Sequence, residues 1–137
     1  GKYRGETDLF LFQNLHRYTL YIAIAYIGVL FYDAWHAFFR GGEFGIGVGS
    51  VILLLNPILL AFYTLGCHSF RHLIGGRLNC FSCDAVAGAS MQGWKNATRL
   101  NRNHMLWAWV SLVWVGFTDF YVRMVSMGNW TDFNTWT

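Results

Sequence analysis

Three long segments of the chain are almost entirely apolar. They cover residues 16–40, 46–74 and 103–127, and the second has no Asp, Glu, Lys or Arg between Glu43 and Arg71. A helix needs about 20 apolar residues to cross roughly 30 Å of hydrocarbon. A helix on the surface of a soluble protein would also show one polar face, and these segments lack one. The pattern predicts an all-α fold, a transmembrane helical bundle with three long spans.

Residues 75–102 form the one long polar connection between these segments. Gly75 and Gly76 are typical of a helix stop, and Met91, Trp94 and Leu100 predict a short helix along the membrane interface. The whole chain is therefore predicted to be one membrane domain, residues 1–137, with a polar loop at 75–102.

Composition supports a membrane protein over a soluble one. Of the 137 residues, 55% are hydrophobic and only 12% are charged, whereas soluble domains have about a quarter charged residues. This balance excludes a soluble enzyme and a nucleic-acid-binding protein. The chain is long enough for one domain.

Basic residues predict the orientation in the membrane. Successive spans alternate in direction, so the N-terminus and the 75–102 loop lie on one side, and Arg40 and Arg123 on the other. The positive-inside rule places the more basic side in the cytoplasm. That side holds eight of the ten basic residues: Lys2, Arg4, Arg17, Arg71, Arg77, Lys95, Arg99 and Arg102.

Histidine and cysteine residues concentrate on the same predicted side. Only His36 lies towards the other side of the membrane. The remaining residues of these two types, which are potential ligands of a soft metal ion, are His16, Cys67, His68, His72, Cys80, Cys83 and His104. Three cysteines without a disulfide rhythm favour metal or redox chemistry over a secreted scaffold. The clustering predicts a metal-binding loop at the cytoplasmic face.

The spacing of four of these residues predicts the type of metal centre. His68 and His72 are at i and i+4, about 40° apart around a helix, so both imidazoles reach one metal ion. Cys80 and Cys83 form a C-x-x-C pair that can clamp another. Two histidines on one iron and two cysteines on the other are the ligands of a Rieske-type [2Fe–2S] cluster. The order differs from that of soluble Rieske proteins, which interleave cysteine and histidine in two loops.

Other arrangements of these residues stay open. Cys67 is interpreted as the spare cysteine, because it points about 100° away from His68; Cys67, His104 and His16 are reserve ligands, and a cluster with three cysteines and one histidine is one variant. A structural zinc ion would accept Cys80, Cys83 and two residues from 67, 68 and 72. Haem b would need histidines from different helices. Histidines and cysteines buried without a cofactor are the simplest alternative.

Three motifs resemble those of a known family. They are Gln13-Asn14-Leu15-His16-Arg17-Tyr18, the run from Cys67-His68-Ser69-Phe70-Arg71-His72 to Gly75-Gly76-Arg77, and Cys80-Phe81-Ser82-Cys83. The chain is similar to the membrane anchor of actinobacterial-type succinate dehydrogenase. The resemblance covers most of the chain, and the run from 67 to 83 is its most specific part.

The resemblance implies a complex in which a flavoprotein subunit oxidises succinate and an iron–sulfur subunit passes the electrons to the anchor. The anchor reduces a quinone, here menaquinone, in the bacterial inner (cell) membrane as a multi-pass protein. The chain would not itself catalyse succinate oxidation. Such anchors commonly have five spans, and the three here match the last three, so a second anchor chain is one potential partner. Haem b anchors and a non-redox, zinc-stapled assembly subunit are the alternatives.

A quinone pocket is expected at headgroup level, lined by aromatic residues with a few hydrogen-bonding groups. Arg71 is the cation that would favour charge on a quinone oxygen. The opposing interpretation of Arg71 is a contact with a lipid phosphate or a partner protein. The predicted quinone-binding residues are Ser69, Arg71, Trp94, His16, Arg17 and Tyr18.

Two further ionisable pairs lie near the ends of the spans. Asp119 and Arg123 are at i and i+4, so they are predicted to neutralise each other. Asp33 and His36 are predicted either to pack without function or to form a proton entry or second quinone site.

Overall fold

A computed structural model describes residues 12–76, 78–80 and 82–136. Lys2, Arg4, Arg77 and Phe81, which entered the charge and motif arguments, lie outside these residues. The described residues form five helices and one short hairpin: α1 Phe12–His36, β1 Phe39–Arg40, β2 Glu43–Phe44, α2 Val48–Leu65, α3 His68–Gly75, α4 Ala85–Asn101 and α5 His104–Ser126. The predicted all-α class is confirmed.

Three of the helices are long and apolar enough to cross a membrane: Asn14–His36, Val48–Leu65 and His104–Ser126. Many of their large apolar side chains face outward, including Ile22 and Val113, which are 70% and 68% exposed. In water such a surface would be unfavourable, whereas lipid tails are as apolar as the side chains themselves. The prediction of three spans is confirmed.

The predicted second segment, 46–74, is not one helix. Its helical hydrogen bonding ends where Gly66 N donates to Phe62 O at 3.1 Å. Cys67 is extended, with φ −65° and ψ 144°, and α3 begins after it. Glycine is a poor helix former, and here it also permits a close approach, because a Cβ on Gly66 would lie 3.1 Å from the carbonyl carbon of Leu100. The helix predicted within 75–102 is present as α4.

The described residues divide into two compact units. The first contains the residues up to Ile24 together with Phe62–His104, and the second contains Ala25–Ala61 and the residues from Met105 onward.

In the first unit, α3 packs against α4. Small side chains lie at buried positions, with Ser69 8% and Ala97 2% exposed. Trp94 of α4 approaches the last residue of α3 so closely that a Cβ on Gly75 would lie 2.6 Å from the indole Cδ1. The glycine at the end of α3 therefore makes room for this indole ring. Asp84 begins α4 by accepting a hydrogen bond from Ala87 N at 2.7 Å.

In the second unit, the C-terminal tail packs on the residues around the start of α2. Val48 N donates to Phe133 O at 2.9 Å. The Asp132 carboxylate accepts from Gly49 N at 2.9 Å and from the Tyr121 hydroxyl at 2.8 Å, and it lies 3.7 Å from the Arg40 guanidinium. The tail thus supplies a partner for an N–H group that the first turn of a helix leaves unpaired.

Replacing Asp132 with alanine is expected to destabilise the second unit by about 3 kcal/mol, because two hydrogen-bond donors lose a charged acceptor. Asp119→Ala is the matched control. Asp119 forms an i, i+4 ion pair with Arg123 at 3.0 Å, and its side chain is 63% exposed, so its loss should cost less than about 1 kcal/mol. Thermal unfolding of the two variants in detergent measures the difference. Equal shifts of the midpoint would contradict this account of the tail.

Candidate functional site

Helix α3 carries both predicted histidine ligands, at its first and fifth positions. It begins directly after the break at Gly66, so His68 and His72 lie one helical turn apart and on neighbouring parts of the helix surface. His68 is exposed and His72 is half-buried. The local spacing on which the sequence argument depends is therefore present in the fold.

The C-x-x-C pair lies between α3 and α4. The sulfur atoms of Cys80 and Cys83 are bonded as a disulfide, with Cα atoms 5.9 Å apart. A metal site would use the same two residues as thiolates, so metal binding at this pair would require the disulfide to be reduced. The sulfur atoms are adjacent, and their role as metal ligands remains a prediction.

The four residues predicted as cluster ligands form two pairs along the chain, His68 with His72 and Cys80 with Cys83. Across residues 12–76, 78–80 and 82–136, no group of three or more His, Cys, Asp and Glu side chains is placed to hold one metal ion. Each pair is formed within a short stretch of chain: one turn of α3, and four residues of the loop. The joining of the two pairs into one four-ligand centre remains a prediction.

Two of the three reserve ligands contact each other. His16 Nε2 lies 3.0 Å from Cys67 Sγ, although the two residues are 51 positions apart in the sequence. Cys67 is a buried thiol, only 5% exposed. The third reserve ligand, His104, stacks on Tyr63 with ring centres 4.7 Å apart. Sequence reasoning did not anticipate Tyr63, which lies within an uninterrupted apolar segment.

Arg17 contacts one of the predicted metal ligands. Its Nη2 atom lies 3.1 Å from Nδ1 of His72. A guanidinium only donates hydrogen bonds, so Nδ1 is the acceptor and a neutral His72 carries its proton on Nε2. A metal ion needs an unprotonated ring nitrogen. Metal binding by His72 therefore requires either that Arg17 leave Nδ1 or that Nε2 lose its proton.

Arg71 is held by two neighbours, both in α4. Its Nη1 donates to Asn101 Oδ1 at 3.2 Å, and its Cζ lies 5.2 Å from the centre of the Trp94 ring. Its Nε is buried and has no hydrogen-bond partner among the described residues. A buried donor without a partner is costly in a folded protein.

A cavity of about 220 Å³ lies between the end of α3 and α4, lined by Gly75, Leu78, Met91 and Trp94. Of the predicted quinone-binding residues, Trp94 lines the cavity and Arg71 lies over its ring. Ser69 is buried on the same helix as Arg71, and Tyr18 is exposed. The structure thus brings Arg71 and Trp94 together, whereas His16 and Arg17 have Cys67 and His72 as the partners described above.

Asn101 is the residue of this region that sequence reasoning missed. Its Nδ2 donates to Gly66 O at 2.7 Å, and its Oδ1 accepts from Arg71. The only sequence signal is a polar residue just before the third apolar segment, which is typical of any connection. Its contacts depend on the break at Gly66, which the apolar pattern does not show.

Positive charge dominates the described part of the first unit. Its one acidic residue there is Asp84, whereas five basic residues lie in the same part of the chain: Arg17, Arg71, Lys95, Arg99 and Arg102. The last three are exposed. This surface suits an acidic partner or anionic lipid headgroups.

Comparison with known proteins gives two matches. The family model described as actinobacterial succinate dehydrogenase subunit SdhC matches residues 1–128. A chain in the solved structure of the Mycobacterium smegmatis Sdh1 complex in the apo form is 44% identical, with a TM-score of 0.83. The match covers 99% of the present chain and 50% of that chain, so the present chain spans half of its length. Comparison with curated proteins finds no similar sequence.

Proposed function

Because this chain belongs to the actinobacterial succinate dehydrogenase SdhC family, we propose that it is the membrane anchor through which a succinate dehydrogenase complex passes electrons to a quinone. The observation that carries the proposal is the arrangement of the first unit, where a histidine pair and an arginine that lies over Trp94 belong to α3 and a cysteine pair lies in the loop that follows. The three apolar helices place these groups in a membrane protein.

The donor set fits a Rieske-type [2Fe–2S] cluster. His68 and His72 would hold one iron and Cys80 and Cys83 the other. The adjacent sulfurs at 80 and 83 and the one-turn spacing on α3 supply the two pairs that such a cluster requires. When bound, the cluster supplies one-electron transfer between a donor in a partner subunit and the quinone. Arg17, which donates to His72 Nδ1 in this structure, would have to leave that atom for His72 to bind iron as a neutral imidazole.

The quinone is proposed to bind at the cavity beside α3 and α4. Trp94 offers an aromatic face and Met91 and Leu78 apolar contacts, and the Arg71 guanidinium, which lies over the Trp94 ring, is the proposed donor to a carbonyl oxygen. A cationic donor is stronger than a neutral one and favours negative charge on that oxygen. Ser69, His16, Arg17 and Tyr18 remain proposed contributors, and menaquinone is the proposed substrate.

The proposed partners are the flavoprotein and iron–sulfur subunits, with succinate oxidation in the former. The exposed side chains of Lys95, Arg99 and Arg102 favour docking of a soluble subunit on this surface. The same charges favour a cytoplasmic location for the α3–α4 segment by the positive-inside rule, with the anchor in the bacterial inner membrane.

The orientation can be measured on Lys95, which is exposed on α4. A membrane-impermeant amine reagent should modify Lys95 in inverted membrane vesicles and leave it unmodified in right-side-out vesicles, as judged by mass spectrometry. Modification restricted to right-side-out vesicles would place this segment on the periplasmic side and remove the proposed docking surface.

The cluster proposal predicts the behaviour of two ligand variants. In the purified complex, His72→Ala and Cys80→Ala should each abolish the EPR signal of a reduced [2Fe–2S] cluster in the anchor. Succinate-dependent quinone reduction should fall by more than about a hundredfold, because electron transfer loses its intermediate carrier. Succinate oxidation with a soluble dye should persist, since it needs only the partner subunits.

His36→Ala, a histidine of the second unit, is the matched control and should keep both the signal and the activity. Full iron occupancy in both ligand variants would eliminate the assignment. A Soret band in the wild-type complex would indicate haem b, and zinc in place of iron would indicate a structural zinc site.

Counting thiols separates metal-bound cysteines from a disulfide. Denatured anaerobically without reductant, a chain with a bound cluster should release three reactive thiols, because metal coordination keeps cysteines reduced. A chain with the disulfide between positions 80 and 83 should release only the thiol of Cys67, and three after reduction. A single thiol from the iron-loaded complex would show that the C-x-x-C pair does not bind the metal.

A further inference from the structure

Asn101 links the end of one helix to the arginine of the proposed quinone site. Gly66 follows the last residue of α2, and its carbonyl has no helical partner because the chain becomes extended at Cys67. The Asn101 amide nitrogen donates to this carbonyl at 2.7 Å. The main chain of α4 lies close enough for this contact because residue 66 has no Cβ.

The other atom of the same amide faces Arg71. Asn101 Oδ1 accepts from Nη1 of Arg71 at 3.2 Å, and the Cζ atom of the same guanidinium lies 5.2 Å from the centre of the Trp94 ring. A side-chain amide has one donor group and one acceptor group. With a carbonyl on one side and a cation on the other, only one orientation of the Asn101 amide satisfies both.

We propose that Asn101 is a positioning residue that holds the Arg71 guanidinium beside Trp94, the aromatic wall of the proposed quinone cavity. This inference rests on the proposed function. Arg71 has a long, flexible side chain, and fixing it before binding avoids part of the entropy cost of ordering it with the ligand. Asn101 does not contact the quinone in this proposal; it acts through Arg71.

Two substitutions separate this role from simple capping of α2. Asn101→Leu removes both hydrogen bonds at similar volume. Asn101→Asp keeps an acceptor for Arg71 but loses the donor to Gly66 O. If Asn101 positions Arg71, aspartate should therefore rescue quinone binding relative to leucine. If it only caps the helix, aspartate should be at least as damaging, because a carboxylate oxygen would lie against the carbonyl.

The experiment uses the purified complex with a menaquinone analogue as the varied substrate. Asn101→Leu is expected to raise the KM for the quinone about tenfold, the effect of one lost hydrogen bond to a charged group. Asn101→Asp should raise it less than about threefold. The kcat, the iron content and the rate of dye-linked succinate oxidation should stay near wild type in both. Asn96→Leu, at an exposed position of the same helix, is the control and should match wild type.

An unchanged quinone KM in Asn101→Leu would overturn the inference while the proposed function stands. Equal increases in KM for leucine and aspartate, accompanied by equal losses of thermal stability, would also overturn it, since they indicate a capping role. A wild-type complex that reduces no quinone would overturn the inference and the proposed function together.

Discussion

Polar backbone groups at the ends of a helix need hydrogen-bond partners, and the hydrocarbon core of a membrane supplies none. Helix α2 meets this requirement with side chains that are distant in the sequence. Asp132 accepts from Gly49 N near its start, 83 residues away. Asn101 donates to Gly66 O just beyond its end, 35 residues away. The length and limits of α2 therefore depend on two polar side chains that the apolar segment itself does not contain.

The end of α2 just before Gly66 determines the direction of the residues that follow, including those of α3. Once the carbonyl of Gly66 is paired, the chain can become extended at Cys67 and begin a new helix. Without the break, residues 66–74 would continue in the direction of the span. With it, α3 packs against α4, and Arg71 meets Trp94 and Asn101. One satisfied carbonyl thus separates a membrane-spanning helix from the helix that carries the proposed site.

Sequence reasoning was successful where structure follows from local composition or short spacing. The three spans depend on apolar runs. The one-turn spacing of residues 68 and 72 likewise follows from the local sequence, whereas the role of these histidines and of Cys80 and Cys83 as metal ligands stays a prediction. It failed at the break in 46–74, because Gly66 stands in an uncharged run and a single glycine is a weak signal in a membrane helix. It also missed Asn101 and the contacts of Asp132, since their partners become neighbours only after the chain folds.

The difference between local spacing and long-range contacts also bears on the unfamiliar order of the proposed ligands. In a soluble Rieske protein each loop contributes one cysteine and one histidine, so both loops must be placed accurately before either iron is complete. Here one turn of α3 supplies both histidines and one short loop supplies both cysteines. Each iron would take its protein ligands from a single local segment, and only the relation between two segments, separated by a few residues after Gly75, has to be set by the fold.

Helix α3 starts just beyond a membrane span, and its backbone hydrogen bonds are made within the helix itself. The conformational cost of placing the two histidines is therefore small. The demand on long-range packing is then reduced to holding α3 against α4. That is the contact in which Gly75 accommodates Trp94 and Asn101 holds Arg71, so the proposed electron carrier and the proposed quinone site would depend on one helix pair.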